Sequence, residues 1–183
     1  LTYIFKDSSN KEVTIEDVAI EWKSSNSNAV TIDSNTGEWL AIDAGDATIS
    51  LLAYVGAGKN TIEYNASIEM TVCSTIEKVV TGYNKTDTYT FEGVVTNIQG
   101  ASFYLQQGEY AILVYKSDAL PNGVEVGKKV RITSTIQNYN GLIETNVIKE
   151  IVVSNTTEII SPKEVTKISE LNELNQSVLF SLK

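Results

Sequence analysis

Ile20-Glu-Trp-Lys-Ser-Ser-Asn-Ser-Asn-Ala-Val-Thr-Ile-Asp33, followed by Thr36-Gly-Glu-Trp-Leu-Ala-Ile-Asp-Ala-Gly-Asp-Ala-Thr-Ile49, decides the fold class of the first part of this chain. Val18, Ile20 and Trp22 alternate with Ala19, Glu21 and Lys23, the period-two pattern of a half-buried strand. Polar turns at 24–28, 33–37 and 43–46 break the stretch into short strands. Ala47, Ile49 and Leu51 then share one face of a further strand. Trp22 is expected to anchor a small core, and Trp39 reads as core or partly exposed, with core preferred because large aromatics dominate such cores.

Working outward, Leu1, Tyr3 and Phe5 form an earlier alternating run, and residues 61–72 a later strand after a glycine-containing loop at 55–60. Many short strands with frequent turn signals point to a two-sheet sandwich over residues 1–73. The composition agrees: 2 Pro and 11 Gly in 183 residues, with abundant Thr, Ile, Val and Tyr, favour pleated sheet.

Residues 88–153 hold a second β unit of five strands. Gln107-Gly108-Glu109 turns the second strand into the third, and Tyr139-Asn-Gly141 turns the fourth into the fifth, Asn-Gly being a strong hairpin signal. The longer gap at 117–127, with Pro121 and Gly127, separates the third strand from the fourth. Residues 74–87 read as a short ordered connector between the two units. In the tail, 154–183, Ser161-Pro-Lys-Glu reads as a helix start with Val165, Ile168, Leu171 and Leu174 at helical spacing. A strand at Val178-Leu-Phe follows. The tail is expected either to open a further unit or to dock back on the barrel.

Residues 1–73 resemble the bacterial Ig-like domain of group 2, which is similar to the repeats of invasins and intimins. The resemblance rests on the Trp22 strand end, the Val30–Asp33 strand and the Ala44-Gly-Asp-Ala-Thr-Ile49 return. Lys23 stands where that pattern has serine, and the strand the pattern places before Leu1 is missing. Phe91-Glu-Gly-Val-Val-Thr96, Phe103-Tyr-Leu-Gln-Gln-Gly108, Ala111-Ile-Leu-Val-Tyr115, Val126-Gly-Lys-Lys-Val-Arg-Ile-Thr133 and Tyr139-Asn-Gly-Leu-Ile143 resemble OB-fold modules of secreted bacterial nucleases and phosphoesterases. Together the resemblances imply an all-β chain: an Ig-like sandwich, then a five-stranded OB-type barrel and a short α+β tail. They also imply an extracellular or cell-surface location. Both chain ends fall on apolar strands, which reads as a fragment of a longer exported protein.

Charge and residue usage narrow the chemistry. Residues 1–74 carry 4 Lys against 11 Asp and Glu, whereas residues 75–153 carry 7 Lys and Arg against 8, so most of the net −9 belongs to the first unit. The chain has no histidine, which removes the usual general base and the commonest transition-metal ligand. Cys73 is alone, so neither an internal disulfide nor a thiolate metal cage can form. Asp33-x-Asn35-x-Gly37 has the opening rhythm of a calcium loop, but Ala44 stands where its closing glutamate would fall, so an Asx turn is the expectation. Gly56-Ala-Gly58-Lys59 is too short for a phosphate loop and reads as a turn. The four sequons at Asn65, Asn84, Asn155 and Asn175 are what an Asn- and Thr-rich chain yields by chance. No metal, cofactor, catalytic residue or membrane insertion is expected.

Binding is what remains. An OB barrel presents its second and third strands and two of its loops to ligands. With Phe103 and Leu105 in the core, Tyr104 and Gln106 face the other way. Tyr115 and Lys116 end the third strand, Arg131 lies on the fourth, and Tyr139 and Asn140 occupy the following turn. These seven are the candidate ligand-binding residues. The expected role is a non-catalytic spacer or interaction module with a protein or glycan partner. Single-stranded nucleic acid is a further candidate through the tyrosines, although Lys116, Lys128, Lys129 and Arg131 make a thin basic complement.

Overall fold

The computed structural model describes residues 1–16, 18–56, 62–172 and 175–183; the glycine-loop positions 57–60 and Leu174 lie outside them. The chain is mostly β and divides into two compact units, Leu1–Val72 and Cys73–Lys183. Among the described residues no helix is long and apolar enough to cross a membrane.

The first unit contains β1 (Phe5–Lys6), β2 (Glu12–Val13), β3 (Val18–Ser24), β4 (Val30–Ile32), β5 (Trp39–Ala41), β6 (Gly45–Val55) and β7 (Ile62–Val72). β3, β6 and β7 form an antiparallel sheet in that order, while β1–β2 and β4–β5 are two-stranded ribbons. Alternation on β6 sends Ala47, Ile49, Leu51 and Ala53 into a core shared with Trp22, Ala29 and Val30. The Trp22 indole lies against the turn at Gly37, where a Cβ would stand 2.7 Å from its Nε1 and φ is +72°, so this turn needs glycine twice over. Only one tryptophan is in the core. Trp39 is 46% exposed, contrary to expectation, because it sits on a three-residue strand all of whose residues are exposed. Leu1–Ile4 likewise lie outside regular strand, with β1 confined to Phe5–Lys6. β7 pairs with β6 alone among the described residues, and its Ile62, Tyr64 and Ile68 remain exposed beside the core face.

The second unit begins with α1 (Ile76–Gly82), which lies in the stretch read as a connector. Thr75 caps it, its hydroxyl accepting from the Lys78 N–H at 3.1 Å. Ile76, Val79 and Val80 project from one face, at the i, i+3, i+4 spacing that builds an apolar stripe, and are buried in the barrel core. Gly93 makes room for this: a Cβ there would lie 2.9 Å from Ile76 Cδ1 and 3.0 Å from the Gln106 carbonyl oxygen.

Five strands follow: β8 (Thr88–Gln99), β9 (Ser102–Gln107), β10 (Tyr110–Val114), β11 (Lys128–Tyr139) and β12 (Leu142–Thr157). β8, β9 and β10 run as consecutive hairpins; the chain then returns over 115–127 to lay β11 beside β8, a Greek-key path. β12 pairs antiparallel with β11 and parallel with β10, so the ring of pairings closes as a barrel. Its interior holds Phe91, Phe103, Leu105, Ile112, Ile132 and Ile136, all fully buried, each contributing roughly 1.5–3 kcal/mol of burial. Asn140 (φ 52°) and Gly141 (φ 97°) both take positive φ between the paired Tyr139 and Leu142, the geometry of a type I′ hairpin.

The tail departs from the helical reading. Residues Lys163–Val165 form β13, parallel to β14 (Phe180–Leu182), and only Ile168–Glu170 makes a single 3₁₀ turn. The reason is burial. Ile168 and Leu171 have no surface to pack on and stay exposed, whereas Val165 is buried in the strand. The Glu170 carboxylate accepts from the Thr166 and Lys167 N–H groups and so holds the turn short. The final strand begins two residues later than read, with Val178 buried ahead of it. The tail meets the barrel where the Leu179 N–H donates to Gln106 Oε1 (2.9 Å) and Gln176 Nε2 donates to the Gly141 carbonyl (2.8 Å).

Two substitutions test the helix–barrel contact. Ile76→Ala should lower the stability of the Cys73–Lys183 unit by roughly 2–5 kcal/mol, and Gly93→Ala by roughly 1–3 kcal/mol through overpacking, both read from urea unfolding followed by circular dichroism. A Gly93→Ala protein as stable as the parent would show that the helix yields at no cost.

Candidate ligand-binding site

Strand alternation and two hairpins build one depression on the outer surface of the barrel. On β11, Ile136 points into the core, so Gln137 and Tyr139 point out. On β10, Ile112 and Val114 point in, so Leu113 and the following Tyr115 point out. The β8–β9 hairpin adds Gln99 and Ser102, which are paired across it, and the start of β12 adds Glu144. These side chains surround a depression of about 510 Å³.

Its floor is the seam that closes the barrel. Leu113 and Glu144 are register partners in the parallel β10–β12 pair. Just beyond that pair, the Tyr115 N–H donates to Thr145 Oγ1 at 3.0 Å, the Thr145 side chain being fully buried. Lys116 N–H then donates to Ser102 Oγ (2.9 Å), and that hydroxyl lies 3.1 Å from the Lys116 carbonyl. A serine side chain thus prolongs the β9–β10 ladder past its last backbone pair and fixes the backbone that carries Tyr115. Gln137 Nε2 donates to Glu144 Oε1 at 2.8 Å, orienting a carboxylate whose residue is only 4% exposed. The two tyrosines rise above this floor, Tyr115 at 48% and Tyr139 at 61% exposure.

The seven predicted residues separate in the structure. Tyr115 and Tyr139 come together in the depression. Tyr104 is on the adjoining strand, its hydroxyl 3.4 Å from Gln99 Oε1. Asn140 supplies the positive-φ corner of the hairpin that presents Tyr139. Gln106 is buried and committed: Nε2 donates to the Gly108 carbonyl (3.0 Å) and Oε1 holds Leu179. Its work is to tie the tail to the barrel. Lys116 Nζ is paired with Asp118 at 2.9 Å, and the hydrogen bond from Lys116 holds the Asp118 carboxyl below its ordinary value. Arg131 sits six positions from Gln137 along β11, ~20 Å away at strand rise, with Glu92 and Val152 as its register partners. Gln99, Ser102, Leu113, Gln137 and Glu144 were not anticipated; the outward alternation of Gln137 with Tyr139 was the one sequence signal that pointed to any of them.

Among the described residues no Lys or Arg lines the depression, and Glu144 is the one carboxylic acid that does. Among the described residues no group of three or more His, Cys, Asp or Glu converges as a metal site. At the calcium-like stretch, Asp33 Oδ1 accepts from the N–H groups of Asn35 (2.9 Å) and Thr36 (2.8 Å), which makes it an Asx turn. Comparison with protein-family models, curated proteins and solved structures found no match to this chain.

Two predictions follow from these contacts. Thr145→Val strands the Tyr115 N–H without its acceptor and should cost about 1–3 kcal/mol in chemical unfolding, with shifted amide resonances at Tyr115. The Thr36 N–H, then the Asn35 N–H, hold the Asp33 carboxyl below 3.8. A depressed carboxyl stabilises the fold above its unfolded value, and that contribution is lost as pH falls through the folded one. Carbon-detected NMR titration should therefore place the Asp33 midpoint below 3.8, and Asp33→Asn should remove that part of the acid dependence.

Proposed function

We propose that this chain is a non-catalytic interaction module of a secreted or cell-surface protein, an Ig-like sandwich joined to an OB-type barrel that carries the ligand site. The Greek-key ring of five strands supports the OB-type reading, and the single core tryptophan between β3–β6–β7 and the β4–β5 ribbon supports the Ig-like one. The observation that carries the functional reading is the position of the depression. It lies between the β8–β9 and β11–β12 hairpins and against the second and third barrel strands, where barrels of this type take their ligands.

The case against catalysis rests on residue chemistry. With no histidine in the chain, a serine or threonine nucleophile has no imidazole base. A glycosidase needs two carboxyl groups across the scissile bond, and the depression offers one. Nucleic acid, the alternative the tyrosines raised, needs a cationic groove as well as stacking surfaces. Here Lys116, next in sequence to Tyr115, is already paired, and Arg131 lies elsewhere on the barrel.

The test is to titrate the isotope-labelled chain with soluble glycans, an oligothymidine and an unstructured peptide while following amide shifts. At least one ligand should move Gln99, Tyr115, Gln137 and Tyr139 together and emerge chemically unchanged. Shifts confined to Leu1–Val72, or turnover of a ligand, would overturn the proposal.

A further inference from the structure

We infer that the depression between the β8–β9 and β11–β12 hairpins binds a neutral oligosaccharide, with the Tyr115 and Tyr139 rings as its packing surfaces and Glu144 as its central hydrogen-bond acceptor. The inference rests on the barrel-site reading above and deepens it by naming the ligand class.

Three features of the lining select that class. The first is shape and exposure. At about 510 Å³ the depression falls within the ~300–1,000 Å³ range of small-ligand sites, and its two exposed tyrosines offer aromatic surface that the C–H side of a pyranose can cover. The second is the polar complement. Gln99 and Gln137 provide neutral donors and acceptors, and Ser102 Oγ keeps one acceptor lone pair beyond its bonds to Lys116, matching a ligand whose hydroxyls both give and receive hydrogen bonds. The third is Glu144. An ionised carboxylate only accepts, so it recognises a group that carries O–H or N–H donors and repels one that carries phosphate oxygens. Its Oε1 is aligned by Gln137 at 2.8 Å, and the residue is nearly buried, so its direction is fixed before a ligand arrives. Charge-assisted bonds from sugar hydroxyls are roughly twice as strong as neutral ones. A phosphodiester chain would meet that carboxylate with no lining cation to offset it.

Isothermal titration calorimetry on the intact chain decides between ligand classes, using cellotetraose, chitotetraose, maltotetraose and an oligothymidine as probes. At least one neutral tetrasaccharide should bind, with an affinity that stays within about twofold between ~50 and ~500 mM salt, unlike a phosphate contact. Tyr139→Ala, a change at an exposed position that leaves the core untouched, should weaken binding about tenfold or more, near 1.4 kcal/mol. Glu144→Gln should weaken it several-fold, with the unfolding midpoint measured alongside to show that the barrel is intact; Tyr115→Ala gives a second check free of any buried change. Tyr64→Ala, in the other unit, should leave binding unchanged. Oligothymidine binding with a steep salt dependence and loss in Tyr139→Ala would overturn the sugar assignment while leaving the site reading in place. Sugar binding indifferent to both Tyr115→Ala and Tyr139→Ala would overturn the site itself. No heat from any of the three tetrasaccharides at millimolar concentration would overturn the sugar assignment.

Discussion

The parallel join between β10 and β12 is the contact on which the second unit depends. It is short, with Leu113 and Glu144 as its register pair, and it is the last step in converting a five-stranded sheet into a ring. Closure removes the exposed sheet edges that an open arrangement would leave. It also determines what the outer surface presents, because the residues that make the join are the floor of the depression. Tyr115 stands above that floor with its N–H held by Thr145 from the neighbouring strand and the next residue's backbone held by Ser102. Barrel stability and ligand geometry are therefore set by the same few atoms.

How much of this the sequence revealed depends on the range of the interaction involved. The Tyr139-Asn140-Gly141 turn was legible because two consecutive residues with positive φ are a local demand with a local signature. The inward set Phe103 and Leu105 was legible for the same reason, through alternation within one strand. Glu144 and Gln99 were not, since their place in the site comes from which strand lies beside which, and a pairing such as Leu113 with Glu144, 31 residues apart, leaves no periodicity to read. The helix at Ile76–Gly82 was missed although Ile76, Val79 and Val80 carry a helical stripe; seven residues between two β units are easily taken for a connector. The opposite error was made in the tail, where a helical spacing of Ile168 and Leu171 had no partner surface to bury against. Periodicity predicts a face, and only tertiary structure supplies what covers it.

The two units divide the physical work unevenly. The first holds most of the acidic excess and packs a small core around one tryptophan. The second is near neutral in its barrel and carries a larger core of Phe, Ile, Leu and Val, with a helix buried against it. No described Lys or Arg lines its depression, so the acidity of the whole chain is a poor guide to what the barrel would accept. Local lining, and the direction in which one carboxylate is held, decide that question instead.

β7 has a consequence for handling the protein. Among the described residues its outer edge pairs with no strand over 11 residues, beside exposed Ile62, Tyr64 and Ile68, and two such edges meeting antiparallel about Ala66 would continue one sheet into another molecule. That register sets Glu63 of each copy opposite Glu69 of the other, so like charge opposes the union. Salt weakens the opposition: the screening length contracts from ~10 Å at 0.1 M to ~3 Å at 1 M.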